Sequence, residues 1–231
     1  MGRGWRAGPR SWRALAEPQP FPVPIEEELA ARFPGLAVRA LSFRARVLEA
    51  GYGFEQELQA LRRGLNLDLT SLKEHPVVRA YRDFYWRLGI DPTKQRPSSE
   101  SLVRRLLLRG GLPSINNVVD AGNLASAETL IAIGLYDLAR VRGVPRLRWA
   151  REGELFVDIT GREVVLTAKS VVLADELGVM HVYPFRDANR TKVTGSTNHV
   201  LALACGVPGI GPELLEGALR RVVELVRRLG G

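Results

Sequence analysis

The chain has 231 residues, 45% of them hydrophobic, enough for one large domain or two small ones with a real core. A formal net charge of +8 points to an anionic partner, and no apolar run approaches the ~18 residues of a membrane span, so no membrane partner is expected. The single Cys205 excludes an internal disulfide, and three scattered histidines, His75, His181 and His199, make no metal site, so neither a metal nor another cofactor is expected.

The first twenty residues set Gly2, Gly4, Gly8, Pro9, Pro18 and Pro20 among Arg3, Arg6, Arg10 and Arg13. They are too poor in apolar residues to bury and too broken for a helix, so residues 1–24 read as a basic flexible arm and an extended lead, Phe21-Pro22-Val23-Pro24. The same composition suits a mis-assigned translation start or a transit peptide. Residues 25–72 read as a small α/β element packed on the main domain. Leu36 to Phe43 alternates as a strand does, and Phe54 to Leu61 is a helix stopped near Gly64.

From His75, which suits a helix start before Pro76, Val77, Tyr81, Phe84, Tyr85 and Leu88 recur at helical spacing up to Gly89. An aromatic stripe of this kind is core packing. A second helix starts with Ser98 or Ser99 as N-cap and ends at Gly110-Gly111, with Leu102, Val103, Leu106 and Leu107 inward and Arg104, Arg105 and Arg109 flanking. Glu100 and Arg104 lie i,i+4 and suit a salt bridge on the helix face. Residues 75–111 carry eight basic side chains against three acidic ones, the footprint of a phosphate-backbone partner, and Arg96, Arg104, Arg105 and Arg109 are the candidate RNA contacts.

The run Ile115-Asn116-Asn117-Val118-Val119-Asp120-Ala121-Gly122-Asn123 puts amides and a carboxylate inside an apolar segment. Buried polar groups without partners cost about 1–3 kcal/mol each, so these line a pocket or lock a core, and the residues alone leave both open. After the run the period turns to alternation: Ile131–Leu138, Leu147–Trp149, Glu154–Ile159, Val164–Thr167, Val171–Ala174 and Val179–Tyr183 are strand candidates. Cys205 before Gly206 reads as a small hydrophobe at a strand end. Pro212 to Leu229 is an amphipathic helix carrying Glu216/Arg220 and Glu224/Arg228 at i,i+4. Helices first and strands after predict an α+β fold. No nucleophile elbow, zinc-spaced set, phosphate-binding glycine loop or dinucleotide fingerprint is present.

Several of these motifs resemble one family in order. The Asn/Asp run with Tyr136-Asp137-Leu138 resembles the first half of the B3/B4 domain of the phenylalanyl-tRNA synthetase beta subunit, whose Asn and later Asp lie fourteen apart, as Asn123 and Asp137 do. Arg96-Pro97-Ser98-Ser99-Glu100 through Leu106, Gly153-Glu154, and Phe185-Arg186-Asp187 followed by Thr191 and Thr194 resemble motifs of freestanding B3/B4 proteins. The resemblance covers roughly residues 73 to 205. It implies a layered B3/B4-type fold with a β-sandwich-like core of unusual topology and flanking helices, with the domain over 73–211 and the C-terminal helix over 212–231. Two positions depart from the synthetase pattern. Gly134 stands where its editing pocket carries a His, and Val193 to Thr197 holds no carboxylate where it uses a Glu for a tyrosine hydroxyl.

The resembled domain hydrolyses mischarged aminoacyl esters, which needs a positioned water, oxyanion stabilisation and a selective pocket rather than a nucleophilic triad. On that implication Asn116 and Asn123 orient substrate polar groups, Asp120 holds an ammonium group or a water, Arg186 and Asp187 bracket the terminal adenosine, Thr194 belongs to the site, and Gly134 leaves a roomier pocket. Asn123 and Asp120 are then the catalytic candidates, and Arg186/Asp187 as a plain surface turn pair is the alternative. The expected protein is a cytoplasmic tRNA-binding B3/B4 protein with trans-editing hydrolysis as its activity. The competing readings are a non-catalytic RNA-binding module and a binder of amino-acid-like or aminoacyl ester ligands. The chain lacks the synthetase's catalytic motifs and is not a complete ligase.

Overall fold

The computed structural model describes residues 17–49 and 52–231. In chain order it contains β1 (Gln19–Pro20), α1 (Glu27–Arg32), β2 (Ala37–Arg44), α2 (Phe54–Gly64), α3 (Leu69–Glu74), α4 (Pro76–Arg87), α5 (Ser98–Arg109) and α6 (Asn117–Thr129). There follow β3 (Ala132–Asp137), β4 (Arg146–Trp149), β5 (Leu155–Val157), β6 (Glu163–Val165), β7 (Val171–Asp175), β8 (Gly178–Val182), β9 (Arg186–Asp187), β10 (His199–Gly206) and α7 (Pro212–Arg228). The fold is α+β, as the order of patterns predicts.

The strands form two four-stranded sheets, β1-β2-β10-β3 and β4-β7-β8-β9, and a two-stranded hairpin, β5-β6. β10 is central to the first sheet. It pairs antiparallel with β2 from His199↔Arg44 to Gly206↔Ala37 and with β3 from Val200↔Asp137 to Cys205↔Ala132. All but the first of its residues are buried, because helices cover one face and the second sheet the other. α7 docks its Leu215, Leu219, Val222 and Val226 stripe on β2, β10 and α6, as its helical period demands. At the end of the β10–β3 pair, Tyr81 of α4 donates its hydroxyl hydrogen to the Cys205 carbonyl at 2.5 Å and accepts from the Ala132 N–H at 3.0 Å, satisfying both strands at once. The outer face of the second sheet makes a smaller core with the hairpin around Phe156, Leu166, Val172 and Val182.

The expected boundary near residue 72 has no counterpart in the hydrogen bonding, since β2 is an inner strand paired along its length with C-terminal β10. The arm expected over residues 1–24 divides: residues 1–16 lie outside the described residues, while Gln19 and Pro20 form β1 on Ser42 and Leu41, and Ile25 bridges to Leu147. Expected helix α5 begins one step differently. Pro97 takes the N-cap position with no side-chain cap, and Ser99 is fully buried, so neither serine caps the helix. α6, the Asn/Asp run itself, is a helix that period alone missed, because it is buried on nearly all sides and carries no single apolar stripe.

Candidate functional site

α5, α6, Ile133 of β3, and Phe185 and Asp187 of the β8–β9 hairpin line a cleft of about 610 Å³. α5 presents Ser98, Ser101, Leu102, Arg105, Leu108 and Arg109 to it, the one face that i,i+3,i+4 spacing allows, and Arg96 adds a third guanidinium from the preceding loop. Arg104, the fourth candidate RNA contact, lies off this face and does not line the cleft. Arg96, Arg105 and Arg109 have no carboxylate partner among the described residues. Glu100 does not offset them. It is fully buried on the opposite side of α5 and takes both Nη1 contacts of Arg82, at 3.0 and 3.1 Å, in place of the expected pair with Arg104. The result is an electropositive rim around walls of Leu102, Leu108, Ile133 and Phe185.

The polar run on α6 separates into two halves. Asn116 is the N-cap, its side-chain oxygen accepting from the Val119 N–H at 2.9 Å. Asn117 accepts from the Leu48 N–H at 2.7 Å and donates to the Arg46 carbonyl at 3.0 Å, fastening the helix to the chain after β2. Asp120, fully buried, accepts from the Ile115 N–H at 2.9 Å, the Ser114 hydroxyl at 2.8 Å and the Tyr52 hydroxyl. Burial raises its pKa, and the three hydrogen bonds pull against that rise. The Tyr52 phenol is pushed up to about 12 by its own burial first and by Asp120 second. Asn116 and Asp120 therefore have their side chains committed to the fold and line no part of the cleft. Asn123, about one turn further on, and Ser126, nearly two, do line it. Ser126 spends its hydrogen on the Ile131 carbonyl at 2.6 Å, whereas the half-buried Asn123 makes no side-chain hydrogen bond among the described residues.

Asp187 lines the cleft from the other side. The β8–β9 hairpin puts it directly across from His181, and cross-strand partners share a face, so Asp187 Oδ1 and His181 Nδ1 meet at 2.8 Å. Arg186 alternates to the other face and stacks its guanidinium 5.8 Å from the Phe185 ring centre; the Asp158 carboxyl is held below its ordinary pKa first by the Thr160 hydroxyl, with the Arg186 charge adding last. The expected Arg186/Asp187 bracket is thus split between two surfaces. Thr194 also lies elsewhere. Its hydroxyl sits 3.0 Å from Ser196 Oγ in a turn at the opposite end of β10, beside a separate cleft of about 540 Å³ that contains Arg44, Arg46 and Ser196. Asp137, the second landmark of the fourteen-residue spacing, caps the turn after β3 and accepts from Thr197 Oγ1 at 2.9 Å.

Gly134 does not make the pocket roomier. A Cβ there would overlap the Tyr136 hydroxyl, since residues i and i+2 share a face of β3 and the Tyr136 side chain folds back over the glycine. Sequence reasoning missed His181, Ser98, Ser101 and Ser126. The serines of α5 were recoverable from the helical period once Arg105 and Arg109 were set on one face; His181 carried no local signal.

The family model described as "B3/4 domain" matches residues 80–231. The chain is 32% identical over 133 residues to the phenylalanine–tRNA ligase beta subunit of Methylococcus capsulatus, and 28% identical over 160 residues to that of Bartonella henselae. These matches cover 58% and 59% of this chain and 16% and 20% of the relatives, so the chain spans about a fifth or less of their length. Among solved structures, an N-terminal fragment of the phenylalanyl-tRNA synthetase beta subunit from Pyrococcus horikoshii matches with a TM-score of 0.42 at 19% identity, over 49% of this chain and 41% of that one.

Proposed function

The chain belongs to the B3/4 domain family, and from that membership we infer that it binds tRNA across the α5 face and receives the aminoacylated 3′ end in the cleft between α5 and α6. One observation carries this reading: three arginines without carboxylate partners among the described residues rim a cleft whose wall holds a free amide, Asn123. Guanidinium groups in this arrangement suit a phosphate backbone, and the apolar walls suit the side chain of an acyl group. The names of the relatives, ligases of phenylalanine and tRNA, make tRNA the RNA of first choice.

The activity we assign is hydrolysis of the aminoacyl ester in trans. A water bound in the cleft adds to the ester carbonyl carbon, the carbonyl–oxygen bond to the ribose breaks, and the ribose hydroxyl leaves carrying the proton. Asn123 is the group suited to orient the carbonyl or the water, while Asp120, with three donors already on its carboxylate, drops out as a catalytic candidate. The cytoplasm, where charged tRNA is used, is the compartment this activity calls for. No helix among the described residues is long and apolar enough to cross a membrane.

The decisive experiment incubates the protein with a panel of correctly and incorrectly charged tRNAs and measures free amino acid released, alongside tRNA binding across a salt series. Binding that weakens steeply with salt and release from a subset of charged tRNAs are expected. Binding without release from any of them leaves a non-catalytic RNA-binding module. No tRNA binding at low salt overturns the whole reading.

A further inference from the structure

Asp187 is the one carboxylate among the described residues that line the cleft, and it stands apart from the arginines around it. Its close contact runs inward instead, to His181, whose side chain is 4% exposed against 33% for Asp187. Behind that pair the structure is closed. His181 Nε2 faces Cys205 Sγ at 3.9 Å, and the rings of Tyr136 and Tyr183 meet the imidazole edge-on at 6.4 and 5.9 Å. The Tyr136 hydroxyl is fully buried beside the Asp187 carboxylate; burial first, and Asp187 after it through its charge and a loose contact with the hydroxyl, push the phenol's pKa up.

We propose that Asp187, oriented by His181, is the cleft's receptor for a primary ammonium group, so that the cleft's ligand carries a free amine on a small apolar body. The proposal rests on the cleft being the binding site and deepens that reading by naming the group recognised. One oxygen of Asp187 is fixed by the imidazole, and the carboxylate is presented to the cleft without a protein donor on that side. An ammonium brings three donors and the complementary charge, and Asn123 across the cleft offers an amide oxygen for another of its hydrogens. Leu102, Ile133 and Phe185 then cover the apolar body, while Arg96, Arg105 and Arg109 at the rim are left for anionic groups. The ammonium-holding role that the resemblance implied for Asp120 passes to Asp187, because three donors already occupy Asp120 while Asp187 keeps a side toward the cleft. His181 is a positioning residue: it touches the carboxylate and not the ligand.

The test uses the full chain and a set of apolar L-amino acid amides with their N-acetyl counterparts, followed by calorimetry and by the imidazole nitrogen signals of His181. The free-amine amides are expected to bind at least tenfold more tightly than the acetylated ones and to shift the His181 signals. Asp187→Asn and His181→Gln are each expected to erase the preference. Asp187 is partly exposed, so its variant decides the matter should the buried His181→Gln fail to fold. Equal binding of free and acetylated amides, or a preference that survives Asp187→Asn, overturns the proposal. A protein blind to the amine that still binds tRNA leaves the RNA reading standing; one that prefers free amines and binds no tRNA sinks that reading and keeps this one.

Discussion

Asp120 accepts from a tyrosine hydroxyl and Asp187 meets a histidine ring, yet the regions around the two carboxylates do opposite things. Asp120, in the first turn of α6, is surrounded by the Ile115 N–H and by the Ser114 and Tyr52 hydroxyls, and it is fully buried. The floor of the cleft gives Asp187 one partner from within and opens it to a cavity. A polar residue in an apolar run is therefore no guide to function until its partners are counted. Saturation makes a lock; an unfilled valence at a cavity makes a site.

The comparison breaks most visibly at Asp120. Asp120→Ala should cost about 3 kcal/mol, because it leaves the Ile115 N–H and the Ser114 and Tyr52 hydroxyls without their acceptor, and urea unfolding measures it. A loss under about 1 kcal/mol would make Asp120 a candidate site residue again. Its titration gives a second view. The folded pKa is raised by burial, so the native state holds the proton more tightly than the unfolded chain does. That contribution is complete below the unfolded value of 3.8 and fades as the pH rises through the folded pKa; Asp120→Asn, with no proton to lose, should flatten this part of the stability curve.

Next in size is Gly134→Ala, where the new methyl group meets the Tyr136 hydroxyl and should cost about 1–3 kcal/mol. Tyr136→Phe in the same chain should recover part of it, and a double-mutant cycle would report a coupling of about 0.5–3 kcal/mol. An additive cycle would mean that the tyrosine does not fill that space. Asn123→Ala, by contrast, removes a side chain with no protein partner among the described residues, so a shift within about 0.5 kcal/mol is expected together with abolished deacylation. Severe destabilisation would place Asn123 with Asp120 as a core lock.

The smallest effects on stability, and the clearest on binding, belong to α5. Arg105→Glu and Arg109→Glu should weaken tRNA binding and lower the log–log salt slope by about one unit for each phosphate that is no longer neutralised, while Arg104→Glu, off the cleft face, should act less. Equal effects of all three would show a diffuse basic surface in place of a cleft rim.

What the sequence determined by itself were the features that depend on near neighbours in the chain. The stripe Val77, Tyr81, Phe84 and Tyr85 on α4, the glycine stop of α5 at Gly110 and the amphipathic α7 all follow from period and punctuation, and each is found where the pattern sets it. The charge imbalance of residues 75–111 likewise marked the helix that rims the cleft. Tertiary structure decided the rest, because hydrogen-bond partners and cavities are made by segments far apart in the chain. Tyr52 reaches Asp120 across sixty-eight positions and Arg82 claims Glu100 across eighteen, so neither carboxylate's duty could be read locally. α6 escaped the periodic signal because a helix buried on nearly all its faces needs no polar side. Gly134 looked like vacant space until the pleat of β3 laid Tyr136 over it, and Asp187 became a candidate receptor only when hairpin register set it opposite His181, with one face turned to the open cleft.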